Sequence, residues 1–119
     1  MRTMTVLENL YEKSSKKNRV IIDKLYLDFI HTRKCLISKS LPVQAHHVKI
    51  RFCIWGVKGK PADIYTFPLS YEYHTGGNGI HVVPGWVEKH EIDFEEQLII
   101  FHDQFLEEIS KILKAGQRK

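Results

Sequence analysis

The chain has 119 residues, enough for one domain with one hydrophobic core. Hydrophobic residues make up 43% and charged residues 27% of it, proportions that exclude a disordered or collagen-like chain. The net charge is +4, but residues 1–60 contain 13 Lys/Arg and 4 Asp/Glu, whereas residues 61–119 contain 5 and 10. This asymmetry is typical either of a basic nucleic-acid surface or of two halves that attract each other.

Cysteine content and hydropathy bear on where the protein works. The two cysteines are too few for the disulfide framework of a small secreted domain. The first residues, MRTMTVLENLYEK, carry acidic residues early and lack the unbroken apolar run of a signal peptide. No stretch approaches the roughly 18 consecutive apolar residues of a membrane span. We therefore expect a cytoplasmic protein that has no membrane-spanning segment.

The first region, residues 3–38, is predicted to be helical. In TVLENLYEK, apolar residues recur at spacings of three and four, and a looser stripe of the same period continues to Ser38. The polar run Ser14 to Asn18 is predicted to break the first helix or to cap the second. The β-branched run from Val20 to Ile22 leaves a strand open as an alternative there, and whether residues 17–38 form one helix stays open as well.

Residues 46–87 are predicted to form a three-stranded antiparallel meander. HHVKIRFCIWG alternates apolar and polar residues with the period of a strand, and IYTFPLSYEY is the second predicted strand. Pro68 lacks a backbone donor, which places that strand at an edge or gives it a bulge. IHVVPGWV is the third predicted strand. The glycines of the YHTGGNG segment before it are interpreted as residues that permit positive φ in a hairpin turn.

The last predicted element is a helix over residues 93–115. Asp93 followed by Glu96 is a version of the capping box, and a broad apolar stripe follows it. The element order ααβββα predicts a single α+β domain, residues 1–119, in which the helices cover one face of the sheet as a two-layer sandwich. Exposed sheet edges and the broad apolar face of the last helix predict a homodimer.

Seven histidines raise the question of a metal site. His74 and His81 flank the glycine turn, and His90 precedes the last helix. A cluster of these three could hold a hydrolytic metal ion, but their spacing matches no recognised ligand pattern, and the predicted hairpin turns His74 and His81 apart. The sequence contains no nucleophile elbow, Walker A motif or dinucleotide fingerprint, so no catalytic residue and no cofactor is predicted.

A basic and aromatic set is the candidate for nucleic-acid binding. It comprises Lys49, Arg51 and Trp55 on one face of the first predicted strand, with Lys58 and Lys60 in the loop that follows. Interleaved cations and aromatic rings can hold phosphates and stack bases. The alternative is that a half-buried sheet simply has a polar outer face.

The function predicted from the sequence is a small binding protein without catalytic activity. It would act on a protein partner, as an accessory, regulatory or immunity-type factor. Nucleic-acid binding through the basic and aromatic set is the first alternative, and a His-based metal-dependent hydrolase is the second.

Overall fold

The structure is a computed structural model that describes residues 2–56 and 59–117, with side chains described up to residue 113. It is a mixed fold of helices and a two-stranded antiparallel sheet. The elements in chain order are α1 (Val6–Lys13), α2 (Lys16–His31), β1 (Gln44–His47), β2 (Thr66–Leu69), α3 (Tyr71–His74), α4 (Trp86–Lys89) and α5 (Phe94–Gln117). None of the described helices combines the length and apolar character of a bilayer-spanning segment.

The two predicted N-terminal helices are confirmed, but the second one is shorter than predicted. Thr5 caps α1 in a full capping box with Glu8, and Ser15 caps α2. Helix α2 ends at His31, so the prediction of helix as far as residue 38 is wrong. The hydroxyl of Thr32 donates to the carbonyl of Phe29 at 2.6 Å, which satisfies a carbonyl of the last turn.

The first predicted strand is also much shorter than its alternation suggested. Strand β1 ends at His47 and pairs antiparallel with β2, with His46 opposite Phe67. The chain then turns, and Phe52 adopts a positive φ of 62°, which no strand residue has. Apolar residues of this segment, Ile50 and Cys53, are nevertheless buried. The alternation of apolar and polar residues therefore reflects which side chains are buried, and not a strand. These side chains pack in the core from an irregular backbone segment.

The predicted three-stranded meander is wrong, because residues 80–87 form turns and the start of α4. The amides of Val82 and Val83 both donate to the carbonyl of Gly79, so this segment satisfies its hydrogen bonds locally. The second predicted strand ends at Leu69, because the next residue, Ser70, is the N-cap of α3. The mixed α+β class is thus confirmed with two strands instead of three, and the two-layer arrangement stays a prediction.

Two clusters of buried side chains hold these elements together. The larger one joins α1, α2 and α5 to the segment before and within β2, with Tyr26, Ile64 and Leu98 at its centre. The smaller one contains Cys35, Val43, Leu69 and Trp86. Leu36 and Phe94 pack against both clusters. The predicted C-terminal helix is confirmed, and Asp93 caps it by accepting from the amides of Glu95 and Glu96 at 3.0 and 3.2 Å.

Candidate metal centre

Strand β1 presents alternate side chains to opposite sides. Gln44 and His46 share one side, and His46 is only 9% exposed. His47 lies on the other side, where its Nε2 is 2.7 Å from Oδ1 of Asp63. The strand therefore separates two neighbouring histidines into two different environments. His46 is the one that meets other histidines.

His74 is the last residue of α3 and lies beside the same side of β1. Its Nδ1 is 2.6 Å from Oε1 of Gln44. Since an amide oxygen only accepts, Nδ1 carries the proton and Nε2 keeps a free lone pair. A hydrogen bond from one ring nitrogen to a second residue is the usual way in which proteins orient a histidine ligand for a metal.

The glycine-rich segment brings His81 back onto His74. The amide of Ile80 donates to the carbonyl of Tyr73 at 3.0 Å, and that of His81 to the carbonyl of His74 at 3.3 Å. This return leaves no room for side chains: a Cβ on Gly79 would lie 2.4 Å from the carbonyl oxygen of His74. The positive φ predicted for Gly76, Gly77 and Gly79 is wrong, since none of them has it. Gly76 and Gly79 instead permit close approach of two backbone segments.

Further contacts fix the shape of the glycine-rich segment. The indole Nε1 of Trp86, a buried residue, donates to the carbonyl of Asn78 at 2.9 Å. The side-chain amide of Asn78 donates to Oε1 of Glu72 at 2.7 Å. Because Glu72 belongs to α3, these bonds tie the segment to the helix that carries His74. The relative position of His74 and His81 is therefore held by packing and hydrogen bonds.

His46, His74 and His81 converge as a compact triad. Their ring centroids are 4.8 to 5.0 Å apart, and one ligand nitrogen of each lies within 4.8 Å of the others. Zn–N bonds of roughly 2.0–2.1 Å at tetrahedral angles place ligand nitrogens roughly 3.3 Å apart. Side-chain rotations that shorten the distances between the three nitrogens by about 1–2 Å would therefore complete the site. The three residues run from buried His46 to exposed His81, which leaves one side of the triad open to solvent.

The ring nitrogens of the triad are suited to bind a cation. Among the described histidines, those with hydrogen-bonded ring nitrogens are His31, His47, His74 and His102. The ring nitrogens of His46 and His81, and those of His90 outside the triad, have no protein partner among the described residues. Burial, together with the neighbouring His74 and His81, lowers the pKa of His46 to about 4. Burial and the nearby His81 also lower the pKa of His74. At neutral pH, His46 and His74 are thus uncharged and able to donate a lone pair.

The structure brings together two of the three histidines predicted from the sequence, His74 and His81. His90 lies elsewhere, with its ring 4.7 Å from that of Trp86 and 5.8 Å from that of Tyr73. His46 was missed, although it was assigned to a strand in the sequence. No local pattern in the sequence singles it out, because the histidines that it meets are distant from it along the chain. Its partners became visible only once α3 was seen to pack on β1.

The basic and aromatic set is only partly brought together. The Nζ of Lys49 lies 5.5 Å from the centroid of the Trp55 ring, and Trp55 and Lys60 line one groove. Arg51 is exposed in the turn that ends the extended segment, so the shared strand face predicted for this set does not exist. Lys58 lies outside the described residues. Nucleic-acid binding by this set stays a prediction.

No protein-family model matches this chain, and comparisons with curated proteins and with solved structures find no significant similarity.

Proposed function

We propose that this protein binds a divalent transition-metal ion through His46, His74 and His81. The observation that carries the proposal is the convergence of three histidine side chains, one ligand nitrogen of each lying within 4.8 Å of the others. Imidazole ligands suit Zn²⁺, Ni²⁺, Cu²⁺ and Co²⁺ and are poor ligands for Mg²⁺ and Ca²⁺, which prefer oxygen. Gln44 would act as the outer residue that orients His74.

A metal held by three histidines keeps a coordination position for water or substrate. Catalytic zinc sites share this feature, whereas structural sites use four protein ligands. The exposed side of the triad, at His81, would be where that position lies. Among the roles predicted from the sequence, this supports the metal-dependent hydrolase over a purely structural use of the histidines, with His46 in place of His90. The metal would supply an activated water, as metal ions do in hydrolases.

Metal binding is tested by titrating EDTA-treated protein with Zn²⁺ in a calorimeter, and with Co²⁺ while recording its visible absorption. One equivalent should bind, and Co²⁺ should give the intense bands of a four- or five-coordinate site. His81→Ala removes an exposed ligand and should weaken binding at least about tenfold. His31→Ala, which removes an exposed histidine outside the triad, is the matched control and should bind normally. Equal affinities of the two variants would rule the site out.

Hydrolytic activity is tested separately on the zinc-loaded protein. Turnover of p-nitrophenyl acetate or bis(p-nitrophenyl) phosphate should depend on zinc and disappear in His81→Ala. If zinc binds with the expected stoichiometry but no turnover is seen, the metal site stands and the hydrolase role fails. This separates the two parts of the proposal.

A protein partner and a homodimer also remain predictions. Exposed apolar side chains on α2 and α5, among them Ile21, Leu25 and Ile99, offer surface for association. Sedimentation equilibrium over a range of concentrations tests the dimer, and a monomer at every concentration would contradict it.

A further inference from the structure

A large groove lies away from the metal centre, on the other side of β1. It is formed by α1, α2, His47 of β1, residues 55–56 and residues 60–63, and its volume is about 930 Å³. Ligand pockets for small molecules have volumes of roughly 300–1,000 Å³. His47 and Asp63 line this groove, whereas His46, on the same strand as His47, belongs to the triad. The two sites are therefore built from different residues.

The charges along the groove favour an anion. Lys16, Arg19, Lys24 and Lys60 line it. The guanidinium of Arg19 donates to the backbone carbonyls of Tyr11 and Glu12 at 3.0 and 2.8 Å, which fixes its position. No carboxylate among the described residues forms an ion pair with it. Held in this way, Arg19 suits a phosphate better than a freely moving lysine does.

The two acidic residues of the groove are already engaged with neighbours. Asp63 pairs with His47, and Oδ2 of Asp23 accepts from the hydroxyl of Tyr11 at 2.7 Å. The other oxygen of Asp23, Oδ1, is buried and has no hydrogen-bond partner among the described residues. Because Oδ1 is buried, a ligand in the groove does not reach it, so the cations are the charged groups that the groove offers to a ligand.

Trp55 supplies a flat apolar surface in the same groove. Its side chain is 50% exposed, which is unusual for so large a ring, and the ammonium of Lys49 lies 5.5 Å from its centroid. Pro61 and Ala62 flank it in the groove wall. An exposed indole beside cations is the arrangement by which proteins stack a base and hold its phosphate.

We propose that this groove binds a nucleoside phosphate, with the base stacked on Trp55 and the phosphate held by Arg19 and the lysines. A single exposed aromatic ring matches a single base. The proposal does not depend on the metal centre.

The test measures binding of AMP to Trp55 in the presence of EDTA. Trp86 is 2% exposed, so iodide quenching of fluorescence reports mainly on Trp55. AMP should protect Trp55 from iodide in a saturable way. Adenosine, which lacks the phosphate, and ribose 5-phosphate, which lacks the base, should each bind at least about tenfold more weakly than AMP. His81→Ala should bind AMP like the original protein, which separates this site from the metal centre.

Calorimetry on variants locates the site. Trp55→Ala and the exposed-site change Lys60→Ala should each weaken AMP binding by about tenfold or more. Lys89→Ala, an equal change of charge at an exposed lysine outside the groove, should have no effect. Circular dichroism checks whether Trp55→Ala is folded. If that variant is unfolded, Lys60→Ala still tests the groove.

An oligothymidylate strand distinguishes the two sources of a nucleoside phosphate. Affinity equal to that of a mononucleotide indicates a free nucleotide as the ligand. Much tighter binding with a steep dependence on salt indicates that the unit belongs to single-stranded nucleic acid. Absence of protection by both AMP and the strand, or unchanged binding in both groove variants, would overturn the proposal.

Discussion

At the scale of single residues, a buried polar network connects the N-terminal segment to the core. Glu8 is fully buried and accepts two hydrogen bonds from the guanidinium of Arg2, at 2.6 and 2.7 Å, and another from the hydroxyl of Tyr65. The amide of Thr5 donates to it as well. Burial alone would raise the pKa of Glu8, but these hydrogen bonds outweigh it and lower the pKa. The carboxylate is therefore a structural group.

Replacing Glu8 by Gln should destabilise the protein by roughly 3 kcal/mol, because it leaves the nearly buried guanidinium of Arg2 without its counter-ion. Urea unfolding at neutral pH measures the loss, with the exposed-site change Glu12→Gln as control. The lowered pKa of Glu8 means that its contribution is present above the ordinary pKa and is lost as pH falls through the folded value. Equal stabilities of the two variants would contradict a structural role.

His102 is a second buried titratable residue, and it makes stability depend on pH. Its Nε2 donates to the carbonyl of Ile64 and its Nδ1 accepts from Thr5, both at 2.7 Å. Burial lowers its pKa to about 4, although the bond to Ile64 opposes this. As the pH falls, His102 is therefore protonated near pH 6.5 in the unfolded chain, but only near pH 4 in the folded protein.

The contribution of His102 is complete above pH 6.5 and declines by about 1.4 kcal/mol per pH unit as pH falls toward 4. Urea unfolding at several pH values should show that His102→Gln has a shallower slope than the original protein by about this amount. The slope is compared, and not the absolute stability, because the substitution also disturbs packing. An unchanged slope would show that His102 does not titrate in this range.

At the scale of elements, the glycine-rich segment is explained by backbone proximity. Gly79 contacts the carbonyl of His74 so closely that a methyl group would be 2.4 Å from it, whereas a methyl group on Gly77 would meet only Oε1 of Glu72, at 3.8 Å. Neither residue has positive φ. The two glycines therefore differ in what they permit, although the sequence makes them look alike.

Gly79→Ala should lower stability by roughly 1–3 kcal/mol and weaken zinc binding at least tenfold, because His81 is pushed away from His74. Gly77→Ala is the matched control and should change stability by less than about 0.5 kcal/mol. Thermal unfolding and zinc calorimetry measure both effects. A normal metal affinity in Gly79→Ala would show that the close return of the segment is not what assembles the triad.

Helix α5 carries a broad apolar stripe, and only part of it faces the core. Leu98 is 1% exposed and belongs to the larger cluster, whereas the next residue, Ile99, is 52% exposed. We expect Leu98→Ala to cost roughly 2–4 kcal/mol, and Ile99→Ala less than about 1 kcal/mol. Denaturant unfolding of the two variants checks this. A large loss from Ile99→Ala would indicate that this residue is buried in a dimer.

At the scale of the whole molecule, the histidine triad lies beside the smaller hydrophobic cluster and is not part of either cluster. Tyr73, Ile80 and Val83, neighbours of the triad in sequence, pack against that cluster. The fold should therefore form without metal and gain stability when metal binds. Zinc at about 100 times its dissociation constant should add about 2.7 kcal/mol to the original protein and nothing to His81→Ala. Unfolding on addition of EDTA would contradict this independence.

The sequence by itself determined α1, α2 and α5 as helices, because their apolar period and capping residues act locally. Ser15 and Asp93 cap α2 and α5 where the sequence predicts a cap. Helices α3 and α4, in contrast, fall partly in segments predicted to be strands. Tertiary structure decided the sheet. The alternation from Val48 to Ile54 is real but ends in a turn, because burial in a core requires no particular backbone conformation.

Tertiary structure also decided the candidate site. His74 and His81 were found from the sequence by their place beside the glycine turn, but the hairpin predicted there turned them apart. Their convergence depends on a backbone approach at Gly79 that no periodicity encodes. His46 joins them because α3 packs on β1, which is a contact between residues about thirty positions apart. Such long-range contacts depend on the packing of the whole chain, and local sequence patterns do not contain them.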